Sequence, residues 1–260
     1  MLPRLRRTFY SQTLRAASLA AFVLLWQIDL FAQPNKKSVV CRDELSVAHR
    51  DELVAQLRKI TGWADLYFEH GRLQTGTTHP VGGSNTAREL LKKAVSGKTF
   101  VTLEDTSGSP DVAFSRVIPG KWIHETTNNP PAYVVQIDFK DFDHVFGDAR
   151  ALEAFNTGWV LLHELDHIVN DTVDATLKDK LGECEDHINR MRQECNLPLR
   201  ADYFFTFVPV TKDSIFINRL ARLAFDQQLE ESGRKKRYWL IWDATQVGGL
   251  SDRNQMAALR

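Results

Sequence analysis

Leu161-Leu162-His163-Glu164-Leu165-Asp166-His167 is the stretch on which the reading of this chain turns. Its pattern is H-E-x-x-H. On a helix, residues four apart share a face, so His163 and His167 point the same way, one turn apart. Two imidazoles so placed can hold one zinc ion, and Glu164 beside them can take a proton from an activated water. Upstream, Ala151 to Val160 is helix-compatible with Gly158 as its weak point. Ala151, Ala154, Phe155, Trp159, Leu162 and Asp166 recur at spacings of three and four, a largely apolar stripe that should face a core. The competing reading is a buried helix with two structural histidines.

The chain around the motif has 260 residues, 43% apolar and 25% charged, enough for one sizeable core. The formal net charge is zero. A nucleic-acid footprint needs a basic excess or stripe, and none appears. Residues 1–32 read differently. Arg4, Arg6 and Arg7 precede an apolar run from Ala16 to Trp26, and Ala32 offers a cleavage point. The segment reads as a signal peptide or, if uncleaved, a membrane anchor, although the run is short for a bilayer span. Residues 33–260 then form a single domain that is secreted or periplasmic, and membrane-associated only through an uncleaved leader. Cys41, Cys184 and Cys195 allow at most one intramolecular bridge. Cys184 and Cys195 would lie about 16 Å apart on one unbroken helix, too far to pair. Oligomeric state is not legible.

Before the motif, the pattern predicts strands over 38–42, 100–103, 112–117 and 132–139, with helices over 43–60 and 86–95. The best strand is Ala132 to Phe139. Residues 71–85 and 140–148 read as loops. After the motif, 183–194 reads as a helix ended by Asn196-Leu197-Pro198. Residues 201–210 read as a strand, 214–229 as a helix and 238–242 as a short strand. The fold class is α+β: a mixed sheet packed on the motif helix, followed by a helical subdomain.

The H-E-x-x-H stretch resembles the zincin class of zinc metallopeptidases. That resemblance implies a zinc cofactor, a third protein ligand, Glu164 as general base and a peptide or protein substrate. It also implies an edge strand ahead of the motif helix, here Ala132 to Phe139, on which an extended substrate adds as a further strand. The long metzincin form fails, because Val173 stands where its histidine belongs and Asn170 where its glycine belongs. A gluzincin-like completion takes Glu185 from the next helix, with Glu183 behind it and Asn189 in a supporting place. An aspzincin-like completion takes Asp171 or Asp174. Glu185 and Asp171 rank level and ahead of the other two. Gly182, Asn189 and Arg192, with Leu197-Pro198-Leu199-Arg200, are similar to a block that follows H-E-L-x-H in some bacterial effector and repeat-associated toxin domains. That block points to bacterial origin and to Asn189 and Arg192 as supports of the site. Tyr203, His187 and Arg192 are the candidate oxyanion stabilisers. Asp166 departs from the zincin pattern, whose inner positions are uncharged. A buried carboxylate needs a partner, and Arg192 or Arg200 is the expected one.

Overall fold

A computed structural model describes residues 39–178, 180–209, 219–229 and 233–249. These lie within one unit, Lys37–Arg260. The leader segment lies outside the described residues.

The first half of the unit builds a six-stranded mixed sheet. Its strands are β1 (Val39–Cys41), β2 (Tyr67–Glu69), β3 (Arg72–Gln74), β4 (Phe100–Asp105), β5 (Ser115–Pro119) and β6 (Ala132–Ile137), in the order β2-β3-β1-β4-β6-β5. β1 pairs parallel with β4, and β4 with β6, while β5 returns antiparallel to β6. Parallel neighbours need a crossover. Between β1 and β4 it contains α1 (Val47–Thr61) and α2 (Asn85–Ser96). Ser46 caps α1 by accepting from the His49 N–H, and Ser84 caps α2 by accepting from the Ala87 N–H. Leu53, Leu57, Leu90 and Leu91 from these helices meet Leu103, Val135 and Ile137 of the sheet in one core.

β6 is flanked on both sides, by β4 and β5. The strand expected to offer a free edge is therefore interior, and the open edge belongs to β5. The sequence order was misleading because β5 precedes β6 in the chain but lies outside it in the sheet.

The helix expected from Ala151 onward is two helices, α4 (Ala149–Ala154) and α5 (Thr157–Asn170). They separate at Phe155, which is extended, and Asn156, whose side chain accepts from the Gly158 and Trp159 N–H groups. An N-cap asparagine starts a new helix by satisfying its orphan donors. Gly158 is not the break. It lets α1 approach, since a Cβ there would stand 2.7 Å from the Gln56 Cβ. α5 is buried almost all round. Leu161, Leu162 and Leu165 enter the first core, while Val160 enters a second one with Phe114, Phe155, Leu223, Phe225 and Trp242.

That second core belongs to a second sheet. The short α3 (Phe139–Asp143) and β7 (Val145–Gly147) occupy the stretch read as a loop. α6 (Glu183–Glu194) follows α5 as expected, and Asn196 turns the chain with a positive φ of 54°. Beyond it come β8 (Leu199–Arg200), β9 (Thr206–Phe207), β10 (Leu220–Gln228) and β11 (Lys235–Asp243). The order β7-β11-β10-β8, with β9 also on β10, makes a five-stranded antiparallel sheet. The helical subdomain is thus a single helix followed by strands. The helix read over 214–229 is strand β10 where it is described, while 214–218 lie outside the described residues. Among the described residues no helix is long and apolar enough to cross a membrane.

Candidate metal centre

α5 carries His163, Glu164 and His167 into a cleft of about 470 Å³ between the two sheets. Residues 113–117, at and before the start of β5, form one wall, and Tyr203, Phe204 and Phe205 form part of another. The chain leaves α5 at Asp171, which takes a left-handed conformation (φ 55°) and ends the helix. Asp171 therefore does not continue the histidine face, and its side chain is exposed. The turn brings Asp174 back over the motif instead. Asp174 Oδ1 lies 3.1 Å from His163 Nε2 and 3.4 Å from His167 Nε2.

His163, His167, Asp174 and Cys184 form a cluster that could hold a metal ion, with their donor atoms all within 4.8 Å of one another. Three observations bear on the fit. The donor set of two imidazoles and a carboxylate matches catalytic zinc. Ligands at about 2.0–2.1 Å from a tetrahedral ion stand about 3.3 Å apart, and the two separations from Asp174 Oδ1 straddle that value. His167 Nδ1 lies 2.8 Å from the Thr172 carbonyl. A carbonyl only accepts, so Nδ1 carries the proton and Nε2 of the neutral ring presents a lone pair, the arrangement in which metal-binding histidines are held. Cys184 Sγ is differently engaged. It is buried, it donates to the His163 carbonyl at 3.4 Å, and burial pushes its thiol well above the ordinary range.

The electrostatics point the same way. Burial works against charging His167, but its bonds to Asp174 and to the Thr172 carbonyl, with the charges of Asp174 and Glu164, raise it to about 9. Burial likewise opposes ionising Asp174, yet its bonds to His163, His167 and Tyr203 hold it far below the carboxylate range. A proton on His167 and a metal cation are alternatives for one place. Glu164 is 6% exposed, and burial raises it against the opposing pull of His163 and of the Ser115 hydroxyl. Ser115 Oγ donates to Glu164 Oε1 at 2.7 Å.

Glu185 is fully buried beneath the histidines rather than among the clustered donors. Its Oε2 stands 3.6 Å from His163 Nδ1 and 3.0 Å from Arg200 Nη1, and its Oε1 meets Arg192 Nη1. Burial opposes its ionisation, but the two guanidiniums keep it below the ordinary range. It backs the histidine that it was expected to join. Asn189 accepts from Arg192 Nη1 and the Arg200 N–H and donates to the Arg200 carbonyl, which pins β8 to α6. Glu183 is exposed at the start of α6.

Of the three oxyanion candidates, Tyr203 and Arg192 line the cleft and His187 does not. Tyr203 faces Asp174 closely enough to help lower its carboxyl, and the Arg200 guanidinium lies 4.9 Å from the tyrosine ring centroid. Arg192 is committed to Glu185, Asn189 and the Ala154 carbonyl. His187 Nδ1 lies 3.0 Å from Asp166 Oδ2. Asp166 is completely buried and, among the described residues, has no arginine partner. Its oxygens accept from Asn170 Nδ2 at 2.6 Å, Thr172 Oγ1 at 2.8 Å and His187. The arginines expected there turn to Glu185 instead. Two supports were not anticipated, Ser115 on Glu164 and Thr172 on His167. Ser115 lies 49 residues from its partner, and no local pattern marks such a contact. Thr172 follows a helix stop whose direction the sequence does not encode simply. All three cysteines are free thiols.

Comparison of the chain with protein families, with curated proteins and with solved structures returns no match.

Proposed function

We propose that this chain is a zinc-dependent hydrolase, and specifically a peptidase of zincin-like arrangement. The observation that carries the reading is the convergence of His163 Nε2, His167 Nε2 and Asp174 Oδ1, with the buried Glu164 beside them in one open cleft. His163, His167 and Asp174 would hold the ion. Bound there, zinc would supply Lewis acidity to a substrate carbonyl and to water. Glu164 takes the proton of the attacking water and returns it to the leaving amine. Its buried, upward-shifted carboxyl suits both halves of that task, and Ser115 fixes the oxygen that does not receive the proton. Tyr203, whose hydroxyl lies near Asp174 in the cleft, is the favoured stabiliser of the oxyanion. The free edge of β5 offers backbone donors and acceptors to an extended peptide, which would add as a seventh strand to the six-stranded sheet.

A second reading is a non-catalytic metal site in a binding protein, and Cys184 is what favours it. Four protein ligands would close the coordination shell, as in structural zinc sites. Against it, the thiol is hydrogen-bonded to a helix carbonyl and kept protonated by burial. A structural site also has no use for Glu164. Glu164→Gln should keep zinc at one per chain while peptide hydrolysis falls by about 10²- to 10⁴-fold. Full activity in that variant sinks the mechanism.

A further inference from the structure

The walls of the cleft are mainly apolar toward one end. His167, Asp174 and Tyr203 lie toward the C-terminal end of α5. Toward its N-terminal end the walls are Phe114, Phe155, Val160, Phe205, Leu223 and Trp242. Phe114 sets the shape of that end. It adopts a positive φ of 61°, and its ring meets Phe155 and Trp242 edge-on, with centroids 5.0 and 5.5 Å away. Its N–H donates to Asp141 Oδ2 at 2.8 Å, which fixes the turn just before Ser115. Three guanidiniums also line the cleft, and two of them share one carboxylate. Arg192 and Arg200 are paired with Glu185, while the exposed Arg116 is hydrogen-bonded to the neutral Gln136 Oε1 and Asp111 carbonyl.

We infer that this aromatic chamber is a specificity pocket for a large apolar side chain, aromatic or leucine-like, on the substrate residue next to the scissile bond. The inference rests on the peptidase reading and adds the class of sequence that would be cut. Val160 is one helical turn from Glu164, a rise of about 6 Å. Neighbouring residues of an extended peptide advance about 3.3 Å each, so a side chain next to the reacting carbonyl reaches that wall. A charged side chain would lose its hydration against these apolar walls. A small one would leave the apolar walls uncovered.

The test is a blocked peptide panel, Ac-Ala-Ala-Xaa-Ala-Ala-NH2, with Xaa as Phe, Leu, Ala, Asp or Lys. Binding is measured to zinc-loaded Glu164→Gln full chain, so that no peptide is consumed. The Phe and Leu peptides should bind on the order of 10- to 200-fold tighter than the Ala peptide, the range one hydrophobic pocket can supply. Val160→Phe, which fills the chamber, should abolish that advantage. Equal binding across the panel, preference for Asp or Lys, or no binding by any member overturns the pocket. The unmodified panel decides the matter even if the Val160 variant fails to fold. Hydrolysis of the same peptides by the unaltered zinc-loaded chain separates the two levels. Selective binding without cleavage removes the peptidase reading and keeps the pocket. Cleavage without selectivity keeps the peptidase and removes the pocket.

Discussion

Asp166 shows how much one residue can decide. A carboxylate at an inner position of a buried helix is costly unless every oxygen finds donors. Here three donors meet it: Asn170, Thr172 and His187. The first two are the last residue of α5 and a residue of the turn that follows, so the buried carboxylate ties that turn down. The Thr172 carbonyl then fixes the His167 ring, and two residues later Asp174 closes on both imidazoles. Asp166 is thus a positioning residue. Asp166→Asn replaces one acceptor oxygen by a donor facing other donors. Partners that orient metal-binding histidines typically contribute 10- to 100-fold to metal affinity. We expect a loss of that order in zinc affinity by chelator competition, together with about 1–3 kcal/mol of stability in urea. Unchanged zinc affinity in a folded Asp166→Asn protein removes the residue from the site's support.

Among the elements, α5 and α6 were legible because their patterns are dense and local. Trp159, Leu161, Leu162 and Leu165 of α5 reach one core, and α6 keeps the predicted bounds 183–194. The β10–β11 hairpin was not legible. Leu220-Ala221-Arg222-Leu223-Ala224 are good helix formers, and local propensity yields to pairing along nine registered residues of β11. The sequence ranked Asp174 behind Asp171 for a related reason. Counting four from His167 to Asp171 assumes that the helix continues, and it stops there in a left-handed residue. The hairpin carries its own electrostatic signature. Asp226 accepts two bonds from Arg237, at 2.8 and 2.9 Å, and pairs with Lys235 at 2.7 Å. The bonds from Arg237 come first in holding its carboxyl below the ordinary range, against a smaller effect of burial. A depressed carboxylate contributes stability above the unfolded value near 3.9, and that contribution is lost as pH falls through the lower folded value. Both cations are largely exposed, so the contribution is screened to about 1 kcal/mol. Urea unfolding of Asp226→Asn should show that deficit at pH 7 and converge with the unaltered protein as pH falls through the lowered folded value. A deficit independent of pH would mean that packing, and not charge, is what the substitution removes.

At the scale of the molecule, the motif helix stands between two cores, and the residues that could hold a metal come from both sides of a chain reversal. His163 and His167 stand on α5, while Asp174 stands in the segment that carries the chain to α6. An ion bound to all three therefore fastens that segment to the helix in the folded state only. Binding that is confined to the folded state stabilises it by RT ln(1 + [L]/Kd), about 2.7 kcal/mol at a hundredfold excess over Kd. For a domain of this size that corresponds to a rise in Tm on the order of 5–10 °C. The rise also identifies the third ligand, because the two competing aspartates can be neutralised without changing their shape. Asp174→Asn removes the carboxylate that faces both Nε2 atoms and should abolish most of the zinc-induced shift. Asp171→Asn keeps a residue that tolerates the left-handed conformation, and it should leave the shift intact. The opposite pattern would place the third ligand at Asp171 and require the segment after α5 to rearrange on binding. A chelator should return the zinc-loaded protein to the metal-free Tm, and the His163→Ala and His167→Ala chains should show no shift for it to reverse.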